Sequence, residues 1–289
     1  MKKSAKGIRF GPAGIPITCG GSSTLDGVRC CSELGLGAME MEFVRGVRLG
    51  DKAAGEVAES AKELDITLSS HAPYYINFCS KEEDKMANSR RHLFESAKAT
   101  HLAGGWITVF HPGFYQKLTP QEAYAIAKKE LASLAEKLRQ HGIRTVLGAE
   151  TVGKKSAFGS LSENIRLAQE IEGLQPVLDF AHLHARGDFR LRGADDYRKL
   201  LGTLERELPG FSKSLHCHFS EINYSDKGEL NHLVLGTNGE PPFRPLMEVL
   251  AENGYSGTVI CESPNLEQDA LTMQKEYGRL ARKGASGAD

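Results

Sequence analysis

Acids and imidazoles close a series of short apolar runs in this chain. His71 follows ITLSS, His111 follows WITVF, Glu150 follows RTVLGA and Glu262 follows GTVIC. Asp179 stands near the end of PVLDF with His182 three residues on, and His216 lies in SLHCHF. Neutral imidazole and carboxylate are ligands that zinc and manganese take, and a catalytic site leaves coordination positions open for water. Taken singly, each residue has a plainer role, an acid capping a helix or a histidine satisfying a backbone group. Six matched strand ends point instead to one site for two or three divalent ions, which clamp the attacking and leaving oxygens of a displacement at phosphorus. In LHCHFS, alternate side chains of an extended segment share a face, so His216 and His218 point one way and Cys217 the other. His216 is read as a metal ligand, and His218, sharing its face, as a supporting group or substitute ligand beside it.

These residues meet only if the runs that carry them do. Eight runs recur along the chain: GIRFG, AMEMEF, ITLSSH, WITVFH, RTVLGAE, PVLDF, SLHCHF and GTVICE. Helical stretches lie between them, among them SKEEDKMANSRRHLFESAKATHLAG, TPQEAYAIAKKELASLAEKLRQHG and SLSENIRLAQEIEG. In the second of these Thr119 caps the helix, Glu122 sits three residues later and Gly142 stops it. Alternation from end to end predicts parallel β/α units, and eight of them closing on themselves give an α/β fold of the (β/α)8 TIM barrel type, with a doubly wound sheet as the competing architecture. Barrel enzymes build their sites at the C-terminal ends of the strands, where the residues above stand. The 289 residues suit a barrel of about 250. A single domain over residues 1–283 is expected, with GASGAD at 284–289 a disordered tail. Trp106 opens the fourth strand and is expected to pack against helices.

Composition narrows the classes. With 36 Lys and Arg against 37 Asp and Glu the net charge is −1, so no global field draws a polyanion, and nucleic-acid contact would rest on a local basic patch. Six cysteines without C-x-x-C spacing suit reduced thiols better than a disulfide framework or a zinc ribbon. The start MKKSAKGIRFG lacks the apolar core of a signal peptide, and no window reaches the ~18 apolar residues of a membrane span. A cytoplasmic protein with no membrane contact is expected.

From about Ile66 to Glu267 the sequence resembles the endonuclease IV family of abasic-site endonucleases, within the xylose-isomerase-like TIM barrels. The resemblance is carried by HAPYYIN, HPG, GAETVGKKSAFGS, LDFAH, LHCHFS and CESP. It implies a monomeric hydrolase with two or three zinc ions, manganese being possible, that cuts DNA on the 5′ side of an abasic site. Residue by residue, it implies that His71 and His111 hold one metal and that Glu150, the catalytic centre, bridges it to a second. Asp179, His216 and Glu262 would complete the second site. A third would use His182 and His232. The family's aspartate position is Leu230 here, so Glu229, one residue back, or the neighbouring His184 or His218, is expected to reach that metal instead. Tyr74 corresponds to a residue that holds distorted DNA, and Arg45, Lys154, Arg186 and Lys227 are candidates for binding phosphate. The chain departs from the family after strand two, where EFVRGVRLGDK offers no aromatic wedge beyond Phe43 to replace an extruded nucleotide. Two other readings stand beside the nuclease: a metal-dependent sugar isomerase or epimerase on the same barrel, and a binding module without turnover.

Overall fold

The computed structural model describes residues 7–252 and 254–286. The first half runs β1 (Ile8–Pro12), α1 (Thr24–Glu33), β2 (Ala38–Glu42), α2 (Asp51–Glu63), β3 (Thr67–His71), α3 (Glu83–Leu102), β4 (Ile107–Phe110), β5 (Gly113–Phe114) and α4 (Pro120–Gln140). It continues with β6 (Val146–Glu150), β7 (Ala157–Phe158), α5 (Leu161–Glu170), β8 (Leu174–Asp179), α6 (Phe180–Arg186) and α7 (Ala194–Glu207). Then come β9 (Leu215–Phe219), β10 (Glu221–Ser225), β11 (Gly228–Leu233), α8 (Phe243–Glu252), β12 (Gly257–Cys261) and α9 (Glu267–Ser286). Helix starts follow the expected chemistry: Thr119 and Ser160 accept from the backbone amides of Glu122 and Glu163, whose carboxylates bond back, and Pro120 opens α4. Gly142, at φ 69°, takes the left-handed turn that follows α4.

The eight predicted runs form one parallel sheet in the order β1, β12, β9, β8, β6, β4, β3, β2. The sheet closes between β2 and β1: Gly37 donates to the Phe10 carbonyl at 3.1 Å and Gly14 to that of Glu40 at 2.9 Å. This is the (β/α)8 TIM barrel. Gly11 sits at the seam because a Cβ there would run into the backbone carbonyl of Ala38. Outward strand residues such as Met39, Leu68, Leu147, Cys217 and Val259 join the helices in two large apolar clusters. Inward residues meet across the barrel: Glu40 of β2 bonds His216 of β9 at 2.9 Å, strands that are not neighbours in the sheet.

Four features differ from the sequence reading. Two hairpins, β5 with β7 and β10 with β11, lie in loops at the C-terminal end of the barrel. Cys19 and Cys30 are joined in a disulfide, where reduced thiols were expected; Cys31, Cys79, Cys217 and Cys261 are free and buried. Cys19 lies in the loop before α1 and Cys30 within the helix, whose first turn is fixed by the Ser23–Asp26 capping box. Trp106 faces the barrel interior, its ring 5.6 Å from that of His216 and packed beside Ile107, Val109 and Val177. Of the expected tail, residues 284–286 continue α9, and 287–289 lie outside the described residues. No helix among the described residues is long and apolar enough to cross a membrane.

Gly11→Ala forces the β1–β2 seam apart, and we expect it to lower the melting temperature by about 5 °C or more in a calorimetric scan. An unchanged melting temperature would show that the seam does not hold the barrel closed.

Candidate metal centre

Strands β3, β6, β8 and β9 end at the same height, and His71, Glu150, Asp179 and His218 project into the barrel there; His111 and Glu262 follow directly on β4 and β12. Glu150 is the hub. Its Oε2 lies 2.9 Å from Nε2 of both His71 and His111, and its Oε1 lies 3.2 Å from His182 Nδ1 and 3.4 Å from His218 Nδ1. His218 Nδ1 is also 3.1 Å from Glu262 Oε1. Three groups of ligand atoms result at the rim, each set lying within 4.8 Å: His71, His111 and Glu150; Glu150, Asp179, His218 and Glu262; Asp179, His182 and His232. Glu150 belongs to the first two groups and Asp179 to the last two.

The ring orientations suit ligation. His71 Nδ1 lies 2.7 Å from the Ala72 carbonyl and His182 Nδ1 3.0 Å from that of Thr151. A carbonyl only accepts, so each neutral ring carries its proton on Nδ1 and offers Nε2 as a donor of electrons. Glu150 Oε1, Asp179 Oδ2 and His218 Nδ1 are buried without a hydrogen-bond partner, although acids and rings crowd one another at 3.1–3.4 Å. Groups that converge without bonding one another fit a divalent cation between them, and this nitrogen and oxygen set fits zinc or manganese.

The electrostatics are correspondingly tense. Burial penalises the Glu150 charge, yet the imidazoles of His111 and His218 hold its carboxyl well below the usual range. Asp179 goes the other way, pushed well up by burial with the charges of Glu262 and Glu150 adding to it. His71 loses by burial but is carried up to about 9 by its hydrogen bond with Glu150. Acids and bases here share protons whose place a cation would take.

The third group depends on the hairpin. In the β10–β11 ladder Tyr224 pairs with Glu229 and Asn223 with Asn231, leaving Leu230 as an extra residue. Such a bulge shifts the alternation by one, so Glu229 and His232 share a face while Leu230 turns out, 60 % exposed. Glu229 Oε2 reaches His182 Nε2 at 3.0 Å and accepts from the Gly153 amide at 3.1 Å. His232 stands by Ser220 at 2.7 Å.

The structure places the remaining candidates unevenly. His216 lies one layer below the rim, bonded to Glu40 and Thr258, and it is His218 that stands among the rim ligands. Both histidines face inward, but two residues separate them by about 6.6 Å along the strand, and His218 is level with Asp179 in the ladder. His184 sits apart from the rim, against Tyr224 and Glu240. Arg186 is not free for phosphate: its guanidinium donates to the carbonyls of Lys154 and Ala157 at 2.6 and 3.0 Å and pairs with Asp188. Arg45 and Lys227 are exposed and outside the cleft lining, and Phe43 is buried in the core. Tyr74 and Lys154 do line the cleft, Lys154 with its ammonium 3.7 Å from Glu229. Sequence reasoning missed Glu40 and Glu42, whose signal was an acid at every second position of AMEME. Glu40 bonds Ser69 at 2.7 Å and lies 2.9 Å from both His216 and His218, a further set of converging groups beneath the rim. Burial drives the Glu42 carboxyl up to about 8, Glu40 and Glu262 adding to this against the pull of His71. The cleft above the ligands has a volume of about 550 Å³.

A sequence model of the xylose isomerase-like TIM barrel family matches residues 28–283. The chain belongs to this family. An uncharacterized protein of Methanocaldococcus jannaschii is 36 % identical over 272 residues, 94 % of this chain and 97 % of the relative. A probable endonuclease 4 of Mycoplasma genitalium is 28 % identical over 214 residues, 71 % of this chain and 70 % of the relative. Among solved structures, endonuclease IV from Thermus thermophilus superposes with a TM-score of 0.69 at 20 % identity, covering 94 % of this chain and 99 % of that one. A D-tagatose 3-epimerase-like protein gives 0.69 at 20 % identity, covering 91 % and 96 %. At that identity both speak for the barrel fold alone.

His218→Ala is expected to lower the metal content of the purified protein by about one ion per chain, whereas His216→Ala keeps the count and loosens binding by about 10- to 100-fold. Elemental analysis and chelator titration decide this, and equal losses in both variants would contradict the layering.

Proposed function

We propose that this chain is a metal-dependent phosphodiesterase of the endonuclease IV type, which hydrolyses DNA on the 5′ side of an abasic site in base excision repair. The observation that carries the reading is the sharing of Glu150 and Asp179 between adjacent ligand groups, which gives three neighbouring positions for divalent ions. Displacement at phosphorus uses such a set, because the attacking oxygen arrives charged while charge grows on the phosphate and the leaving oxygen. A set with five imidazoles, His71, His111, His182, His218 and His232, favours two or three zinc ions, with manganese as the substitute. Bound there, these ions would ionise a water and neutralise charge on the phosphate.

The protein's own groups have distinct parts in this reading. Glu150 stands where the first two ligand groups meet and holds the attacking water in line with the phosphate. Lys154, on the cleft wall, exchanges its contact with Glu229 for a phosphate oxygen. Tyr74 offers a half-exposed ring beside His71 and His111, 4.9 and 5.5 Å away between centroids. The similarity to a probable endonuclease 4 supports the assignment. In this reading the protein is a cytoplasmic monomer whose residues 1–283 act as one domain.

A sugar isomerase or epimerase is the second reading. A cleft of about 550 Å³ has the size of a small-molecule site, and Phe43, the one aromatic near the place of a DNA wedge, is buried. Metal count separates the two: three ions per chain favour the nuclease, and one or two favour the sugar enzyme.

Incubation with a duplex carrying one tetrahydrofuran site tests the proposal. We expect a nick 5′ to the lesion with a 3′-hydroxyl, and a loss of at least ~100-fold in rate for Glu150→Gln. An intact strand with zinc, manganese and magnesium alike overturns it.

A further inference from the structure

The carboxyl of Glu42 ends β2 on the inward face, directly opposite His71 in the β2–β3 ladder. It lines the cleft, yet its Oε1 is buried and without a hydrogen-bond partner. Nor does it belong to any of the ligand groups. A buried polar atom is costly to leave unpaired, and one on a cleft wall is poised for a group that the ligand brings. Tyr74 stands beside the same histidine and lines the same cleft. Glu42 is near enough for its charge to reinforce burial in raising the phenol of Tyr74. A hydroxyl satisfies such a carboxyl in either protonation state, since it donates to the anion and accepts from the acid; a phosphate oxygen accepts only and an ammonium donates only. An aromatic face beside a carboxyl suits a sugar, whose C–H edges lie on the ring while a hydroxyl meets the acid.

We propose that Glu42 and Tyr74 form a sugar subsite in which Glu42 hydrogen-bonds a free hydroxyl of the substrate's sugar and Tyr74 covers one face of that sugar. The subsite rests on the reading that the substrate carries a sugar, which the phosphodiesterase and the isomerase have in common. For a nuclease it means that the cleft distinguishes an abasic deoxyribose, with its anomeric hydroxyl, from a ring that lacks one. Discrimination then comes from Glu42, because an analogue without the hydroxyl leaves its carboxyl unpaired.

Calorimetric titration of the zinc-loaded protein with 2-deoxyribose 5-phosphate and with its tetrahydrofuran analogue, which lacks only the anomeric hydroxyl, tests this. The wild type is expected to bind the first at least ~10-fold more tightly. Glu42→Ala removes the preference by weakening that probe alone, the isosteric Glu42→Gln keeps part of it, and Tyr74→Ala weakens both probes. Zinc content is measured in each variant, and the preference must fall while the content holds. Equal binding of the two probes by the wild type, no binding of either, or a preference unchanged in both Glu42 variants overturns the subsite. The two readings fail separately: an uncut tetrahydrofuran duplex together with a Glu42-dependent preference removes the nuclease and leaves the subsite standing. A cut duplex without that preference does the reverse.

Discussion

Glu150 has no exposure to solvent, and a carboxylate taken wholly out of water must be matched by donors or positive charge close at hand. Four imidazoles from four separate segments, His71, His111, His182 and His218, surround it within 3.4 Å, yet its Oε1 is left without a hydrogen-bond partner. Each of them needs its own backbone held in place, and the closed sheet does this by ending its strands at one level. The barrel interior is divided accordingly. On one side Ile107, Val109 and Val177 pack with Trp106 as aliphatic filling does in other barrels. On the other, Glu40, Ser69, His216 and Thr258 make a polar layer beneath the rim. Nε2 of His218 lies 2.9 Å from Glu40 of that lower layer, and the opposite nitrogen faces Glu150 and Glu262.

The third ligand group takes Asp179 and His182 from the barrel rim, but its last member, His232, lies outside this frame and is stiffened differently. Glu229 and His232 ride on a hairpin, and the hairpin is docked on the loop after β6 through bonds from the amides of Glu229 and Lys155 to the carbonyls of Gly153 and Lys227. Arg186 grips the carbonyls of that loop from beneath. A residue that looked like a phosphate ligand therefore acts as a strut, and the cleft keeps Lys154 as the lysine on its wall.

All eight barrel strands were legible, because short β-branched or apolar runs recur between helical stretches along the whole chain, most of them closed by an acid or a histidine. The rim acids and histidines were legible for the same reason. Depth was not. The pattern of LHCHFS tells which face a side chain takes, and both histidines take the same one; only the ladder, with His218 beside Asp179, says which reaches the rim. Glu40 and Glu42 escaped notice because an acid at every second place of AMEME reads as an ordinary half-exposed strand, whereas the closed barrel turns that face inward. The Cys19–Cys30 pairing depends on how the loop before α1 folds back, which no spacing rule encodes.

The extra residue at Leu230 separates where an acid points from where it is written. Because the hairpin makes room for one unpaired position, the acid beside His182 arrives from a place in the chain that an Asp-x-His pattern would pass over. Substitution at such a position is then silent in space while it is loud in sequence. Following acids by their direction rather than by their spacing is what brings Glu229 to His182.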